Sequence, residues 1–209
     1  KLNKLIIACD GESASGKSTA ARLISKKYNL LLVNSGLIYR YASKLIIDKK
    51  PKIVINFIKK KFKNLRYKDI LKYNLHSEKI SNHVAIIAKN RRIREIVNRV
   101  QKKIIKDNKR ICVEGRDIAS KILAKNPKYD LAFYFKCNIR TASYRRWIDI
   151  KKKVSLNNVQ KSLQIRTQMD KKRKNSPLIK VKDAILIRTD KLSKKQVLSK
   201  MSKSIDKIN

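Results

Sequence analysis

Between Leu5 and Tyr28 the chain has few ways to fold. An apolar run, Leu5-Ile6-Ile7-Ala8-Cys9, leads into Asp10-Gly11-Glu12-Ser13-Ala14-Ser15-Gly16-Lys17-Ser18-Thr19, and a helical pattern then runs to Tyr28. Two glycines five apart, followed by lysine and a hydroxyl residue, form the phosphate-binding loop pattern in its required setting of strand, loop and helix. Gly11 and Gly16 permit backbone paths and approaches that a Cβ would block. The loop N–H groups and the helix N-terminus then face phosphate oxygens. Lys17 supplies a cation to the outer phosphates, and Ser18 a hydroxyl for Mg²⁺. The whole chain has four glycines in 209 residues, so a chance match at this spacing is a poor explanation.

Composition narrows the setting. Hydrophobic residues make up 42%, enough for one α/β domain with a sizeable core. No stretch approaches the ~18 apolar residues of a membrane span. Lys1 to Ile7 runs straight into the first strand and leaves no room for a signal peptide. Cys9, Cys112 and Cys137 are isolated within or beside apolar runs. They read as reduced small hydrophobes of a cytoplasmic protein, not as a disulfide or metal set. His76 and His83 have no cysteine nearby to complete a metal site. The net charge is +40, from 55 Lys+Arg against 15 Asp+Glu. The lysines are spread over every segment, so a biased composition explains them better than a dedicated nucleic-acid patch. Non-specific RNA binding at low salt is still expected.

The rest of the chain alternates. Strands are expected at Leu5–Cys9, Leu30–Val33, Lys109–Val113, Asp130–Phe135 and Ala184–Ile187. Helices are expected at Lys17–Tyr28, Leu37–Ile47, from Ser77 onward with a break near Asn90, after the cap Asn138, at Leu163–Lys174 and at Ser193–Ile205. Lys151–Asn158 reads as a polar loop, and Lys49–Tyr73 as a small, mostly helical insert. Apolar runs alternating with helices indicate a parallel sheet covered on both faces. The expected fold is therefore α/β, a P-loop NTPase-type three-layer fold with a central five-stranded parallel sheet. It comprises a core of 1–48 and 76–209 and an insert at about 49–75.

In open parallel sheets, ligands sit beyond the carboxyl ends of the strands. Three polar clusters follow strands here: the phosphate loop, Asn34-Ser35-Gly36 with Arg40, and Glu114-Gly115-Arg116-Asp117. They should converge on one cleft. Arg166, Asp170 and Arg173, spaced by four and three, share a helix face. A solvated charged face would look the same.

These stretches together resemble bacterial cytidylate kinases, a family of P-loop nucleoside monophosphate kinases. The resemblance rests on Asp10-Gly11 with Gly16-Lys17-Ser18-Thr19, Ser35-Gly36 with Tyr39-Arg40, Ile93-Arg94-Glu95 with Gln101, Val113 to Ile118, and Arg166, Asp170 and Arg173 before Ser176-Pro177-Leu178. It implies ATP-dependent phosphorylation of CMP and dCMP, with Mg²⁺, by a monomer without a specific nucleic-acid or membrane partner. It also implies roles. The insert at about 49–75 would be the acceptor side and about 145–160 the lid; Gly11 to Thr19, with Arg145 and Arg146 of that lid, would hold ATP. Ser35, Arg40, Arg94, Arg116, Asp117, Arg166, Asp170 and Arg173 would surround the acceptor. Arg40, Arg116 and Arg166 would grip its phosphate, Arg94 and Asp117 the cytosine edge, and Asp170 the sugar. Lys17, Arg166 and Arg173 would act on the transferring phosphoryl. The chain departs from the family pattern at Glu12, Ala14 and Asn34, where Pro, Gly and Asp are usual; Glu12 places a carboxylate near bound phosphates. Two other readings remain open: a P-loop kinase acting on AMP, UMP or shikimate, and a P-loop RNA-binding switch.

Overall fold

The computed structural model describes residues 3–208. Its five-stranded sheet has the order β2-β3-β1-β4-β5. The strands are β1 (Leu5–Gly11), β2 (Leu31–Asn34), β3 (Arg110–Gly115), β4 (Leu131–Lys136) and β5 (Ile185–Arg188). β1 pairs in parallel with β3 and β4, and β4 with β5. All seven residues of β1 are buried, as a central parallel strand with both faces covered requires. The helices are α1 (Lys17–Lys27), α2 (Ser35–Lys49), α3 (Val54–Phe62), α4 (Tyr67–Ile70), α5 (Glu78–Ile87), α6 (Arg91–Lys106), α7 (Ile139–Asp149), α8 (Leu156–Lys172) and α9 (Lys194–Ile205). A π-helical turn, Ile118–Ile122, follows β3.

The chain divides into two compact units. One takes the chain up to Leu32 and again from Lys109; the other is Val33–Asn108. The first unit packs Ile7 and Cys9 of β1 with Ala20 and Ile24 of α1, Phe133 and Phe135 of β4, and Val197, Met201 and Ile205 of α9. Burying each of the larger aliphatic side chains contributes about 1.5–3 kcal/mol. In the second unit, Ile93, Val97, Val100 and Ile104 are buried along α6. The expected insert region forms α3 and α4 within that unit.

Local capping set several boundaries. Asn90 accepts from the Ile93 N–H at 3.2 Å, which starts α6 and makes the break expected in the long helix. Asn138 caps α7 through Thr141. Ser193 and Gln196 form a reciprocal capping box at α9, the pairing that satisfies two orphan donors. One expectation needs correction. α8 begins at Leu156, not Leu163, because Ser155 accepts from the Asn158 N–H at 3.2 Å. Lys151–Asn158 is therefore loop only up to Ser155. The first turns of α8 bury only Val159 and Leu163, too thin an apolar stripe to show a period.

Two buried contacts hold the strand ends. Asp10 accepts from the Ile118 N–H at 2.9 Å and from the Ala119 N–H at 2.8 Å, tying the end of β1 to the turn after β3. Gly11 lies against β4, where an added Cβ would stand 2.6 Å from the Phe135 carbonyl oxygen and 2.7 Å from its Cβ. Both of those atoms belong to a neighbouring strand.

Gly11→Ala should therefore destabilise the first unit by about 1–3 kcal/mol through overpacking; chemical denaturation would show it as a lower midpoint at unchanged slope. Burial raises the Asp10 carboxyl to about 6 from its ordinary 3.8, against the pull of its two N–H donors. The folded state then holds the proton more tightly than the unfolded chain. Asp10's stability contribution falls as pH rises from about 4 to about 6, by at most about 3 kcal/mol. Asp10→Asn should flatten the stability–pH curve over that window, and an unchanged curve would refute the shift.

Candidate functional site

The phosphate loop joins β1 to α1. Gly16 sits before α1 in the left-handed region, φ +80°, and no side chain caps the helix there. The first-turn N–H groups are thus left to a ligand or water. Ala14 is also left-handed, φ 55°, a conformation that costs a residue with a Cβ about 1–2 kcal/mol. Its methyl packs against a small cluster of Cys137, Ala142, Val159 and Leu163, which offsets part of that cost. The Ser15 carbonyl accepts from the Thr189 hydroxyl at 2.8 Å, and the Thr189 carbonyl accepts from Arg145 Nη2 at 2.8 Å. Beside the loop, Gly16, Thr19, Leu23, Arg145, Thr189 and Val197 help line a cavity of about 270 Å³. Arg145 thus reaches the loop's flank, while Arg146 is exposed and does not line that cavity.

Lys17 is buried, and its Nζ donates to Glu114 Oε2 at 2.6 Å. The Ser18 hydroxyl donates to the same oxygen, also at 2.6 Å. Glu114 is the penultimate residue of β3, directly opposite Cys9 of β1 in the sheet register. One buried carboxylate therefore orients both the loop cation and the loop hydroxyl. That hydroxyl and that carboxylate are hard oxygen donors, the kind that hold Mg²⁺ together with substrate phosphates and water.

A second constellation lies in the same unit. Arg116 Nε donates to Asp170 Oδ2 at 2.8 Å, and its Nη2 lies 3.4 Å from the Ser13 hydroxyl. Arg173 Nη1 stands 3.7 Å from Asp170 Oδ1. Its Nε and Nη2 are buried without a hydrogen-bond partner among the described residues. Buried donors left unpaired are costly, and a guanidinium with a free edge suits an anion with two oxygens. Asp117 is buried just before the π-helical turn. Arg166 is exposed on α8, four residues before Asp170.

The second unit holds the remaining expected residues. Ser35 is buried at the start of α2. Arg40 Nη1 donates to the Leu75 carbonyl at 2.8 Å and to the Ser81 hydroxyl at 3.0 Å. Arg94 is buried on α6; its Nη1 donates to the Ala88 carbonyl at 3.3 Å, and its guanidinium stands 5.7 Å from the Tyr39 ring centre. The Asn34 N–H donates to the Tyr67 hydroxyl at 2.8 Å. This unit also has a larger cavity, about 530 Å³, between α3 and α6. Among the described residues its lining is lysine, arginine, asparagine and apolar side chains with no carboxylate, so size does not select the site here; chemistry does.

Three residues with work at the phosphate loop had no assigned role in the sequence reading. Glu114 and Asp10 had a visible signal, an acidic residue closing an apolar strand. Lys171 had none: its Nζ donates to Glu12 Oε1 at 2.6 Å across 159 positions of chain.

Comparison with known proteins adds to this geometry. A sequence model described as cytidylate kinase matches residues 7–207. A cytidylate kinase of Fusobacterium nucleatum is 29% identical over 99% of this chain and 100% of its own. One of Phytoplasma mali is 32% identical over 88% of this chain and 86% of its own. A shikimate kinase from Bacteroides thetaiotaomicron shares the fold, with a TM-score of 0.53, 7% identity, and coverage of 97% of this chain and 98% of that one. Among the described residues no helix is long and apolar enough to cross a membrane. The match runs through the phosphate loop, the Glu114–Asp117 block and the Arg166–Arg173 face alike, and the chain belongs to the cytidylate kinase family.

Proposed function

We propose that the protein transfers the γ-phosphoryl group of ATP to CMP and dCMP, giving CDP and dCDP, as a monomer. The observation that carries the reading is the Arg116–Asp170–Arg173 constellation reaching Ser13 of the phosphate loop. A phosphate loop alone suits any nucleotide-binding protein; a loop met by Arg116, with Arg173 sharing its carboxylate and keeping two buried donors unpaired, suits phosphoryl transfer. The acceptor phosphate is anionic at neutral pH, so no general base has to make the nucleophile. Catalysis then reduces to positioning and charge neutralisation.

In this reading the loop N–H groups and Lys17 hold the donor phosphates, and the cavity beside Thr189 and Arg145 takes the donor base. Glu114 keeps Lys17 extended along the loop. Ser18 and Glu114 would hold Mg²⁺, which when bound offsets charge on the phosphates. Arg116, anchored by Asp170, faces the acceptor phosphate with Arg166. Arg173 presents Nε and Nη2 to the phosphoryl in flight. Asp117 would meet the cytosine edge, and the family resemblance alone assigns Ser35, Arg40 and Arg94 to the acceptor. The charge of +40 supports non-specific attraction of polyanions at low salt, and no dedicated nucleic-acid partner is proposed.

A coupled ADP-release assay with ATP, Mg²⁺ and a panel of acceptors tests this. CMP and dCMP should exceed AMP, UMP and shikimate; a more than tenfold preference for any of the latter would overturn the acceptor assignment. Arg166→Ala should cost about ten- to a hundredfold in kcat/KM for CMP, the size of a lost charge-assisted hydrogen bond, with ATP affinity little changed. Glu114→Gln should lower kcat and raise the KM for ATP while leaving that for CMP nearly constant, because Lys17 and Ser18 lose the charged acceptor that orients them. Equal effects on both substrates would count against this orienting role.

A further inference from the structure

The phosphate loop carries a carboxylate, Glu12, between Gly11 and Ser13. Its backbone is fixed: the Glu12 N–H donates to the Phe135 carbonyl at 3.1 Å, and its own carbonyl accepts from the Ser15 N–H at 3.4 Å. Its side chain is largely buried, 12% exposed. A fixed anion inside a site that receives a polyphosphate opposes binding. The chain answers with one cation. Lys171 Nζ lies 2.6 Å from Glu12 Oε1, while its side chain remains 45% exposed.

Lys171 sits in the last turn of α8, next to Asp170, which holds Arg116. The same helix supplies Val159 and Leu163 to the cluster against which Ala14 packs. The last turn of α8 therefore meets the loop through its charge, and the first turns through the Ala14 methyl. We propose that Lys171 is a positioning residue of the donor site: it neutralises Glu12, swings that carboxylate away from the phosphate cradle, and so lets this loop accept a triphosphate. Lys171 does not touch the reacting atoms. The inference rests on the donor-site reading above, and Lys171 and Glu12 form one unit whose two members cannot be judged separately.

The test is calorimetric binding of ATP and steady-state kinetics on the full chain and three variants. Lys171→Met leaves Glu12 unpaired and should weaken ATP binding at least tenfold, with the KM for CMP moving far less. Lys171→Arg should retain most of the affinity. Glu12→Gln should bind ATP as well as the parent or more tightly. The double variant Glu12→Gln, Lys171→Met should recover to within about threefold of Glu12→Gln alone. A merely structural Lys171 would give no such recovery. Wild-type affinity in Lys171→Met, or a double variant as weak as Lys171→Met, overturns the proposal. So does a more than tenfold loss in Glu12→Gln, which keeps the test decisive should Lys171→Met fold poorly. If the unaltered protein binds no ATP, the donor-site reading itself fails, which is distinguishable from a parent that binds ATP and is indifferent to Lys171.

Discussion

The buried Lys17–Glu114 pair is the constraint on which the rest of the first unit depends. Its N–O distance is 2.6 Å and both side chains are less than a tenth exposed. Taking two charges out of water costs several kcal/mol, regained only with close geometry and further hydrogen bonds. Here the Ser18 hydroxyl supplies one such bond to the same carboxylate oxygen. The pair makes sense less as a stabiliser than as a register device. It requires β3 to end opposite β1 with Glu114 beside Cys9, which in turn places Arg116 and Asp117 directly after the strand. Asp10 reinforces the arrangement by holding the turn after β3 through two N–H groups.

From that anchor the site is assembled by charge in a chain that has cations in excess. Three carboxylates near the loop each have a cation assigned to them: Glu114 has Lys17, Asp170 has Arg116, and Glu12 has Lys171. Beside them, Nε and Nη2 of Arg173 are buried with no hydrogen-bond partner among the described residues. With 55 basic residues in the chain, holding a cation in place matters more than supplying one. The scarce residues are the 15 acidic ones, and several of them are spent on orientation.

Much of the fold was legible because it rests on local physics. Five apolar runs alternating with helical periods read as a parallel sheet, and the β1 run ending in the glycine pattern placed the loop. The caps at Asn90, Asn138 and Ser193 act on N–H groups within three residues, so their signals lie side by side in sequence. The start of α8 was missed for the opposite reason. Its cap, Ser155, is just as local, but Asn157, Asn158, Gln160 and Lys161 hide a helix that buries only Val159 and Leu163 in its first turns.

By itself the sequence determined the α/β class, the phosphate loop, several of the helix caps and the motifs that mark the family. Each is a matter of residue type at short spacing, where backbone geometry dictates what can follow. Only the tertiary structure decided which charge meets which. Lys17 finds Glu114 across 97 positions, Arg116 finds Asp170 across 54, and Lys171 finds Glu12 across 159. No periodicity encodes such pairs, and in a chain with so many cations each carboxylate had dozens of possible partners. Sheet register and the approach of α8 to the loop chose among them, because only there do the partners come within hydrogen-bonding distance.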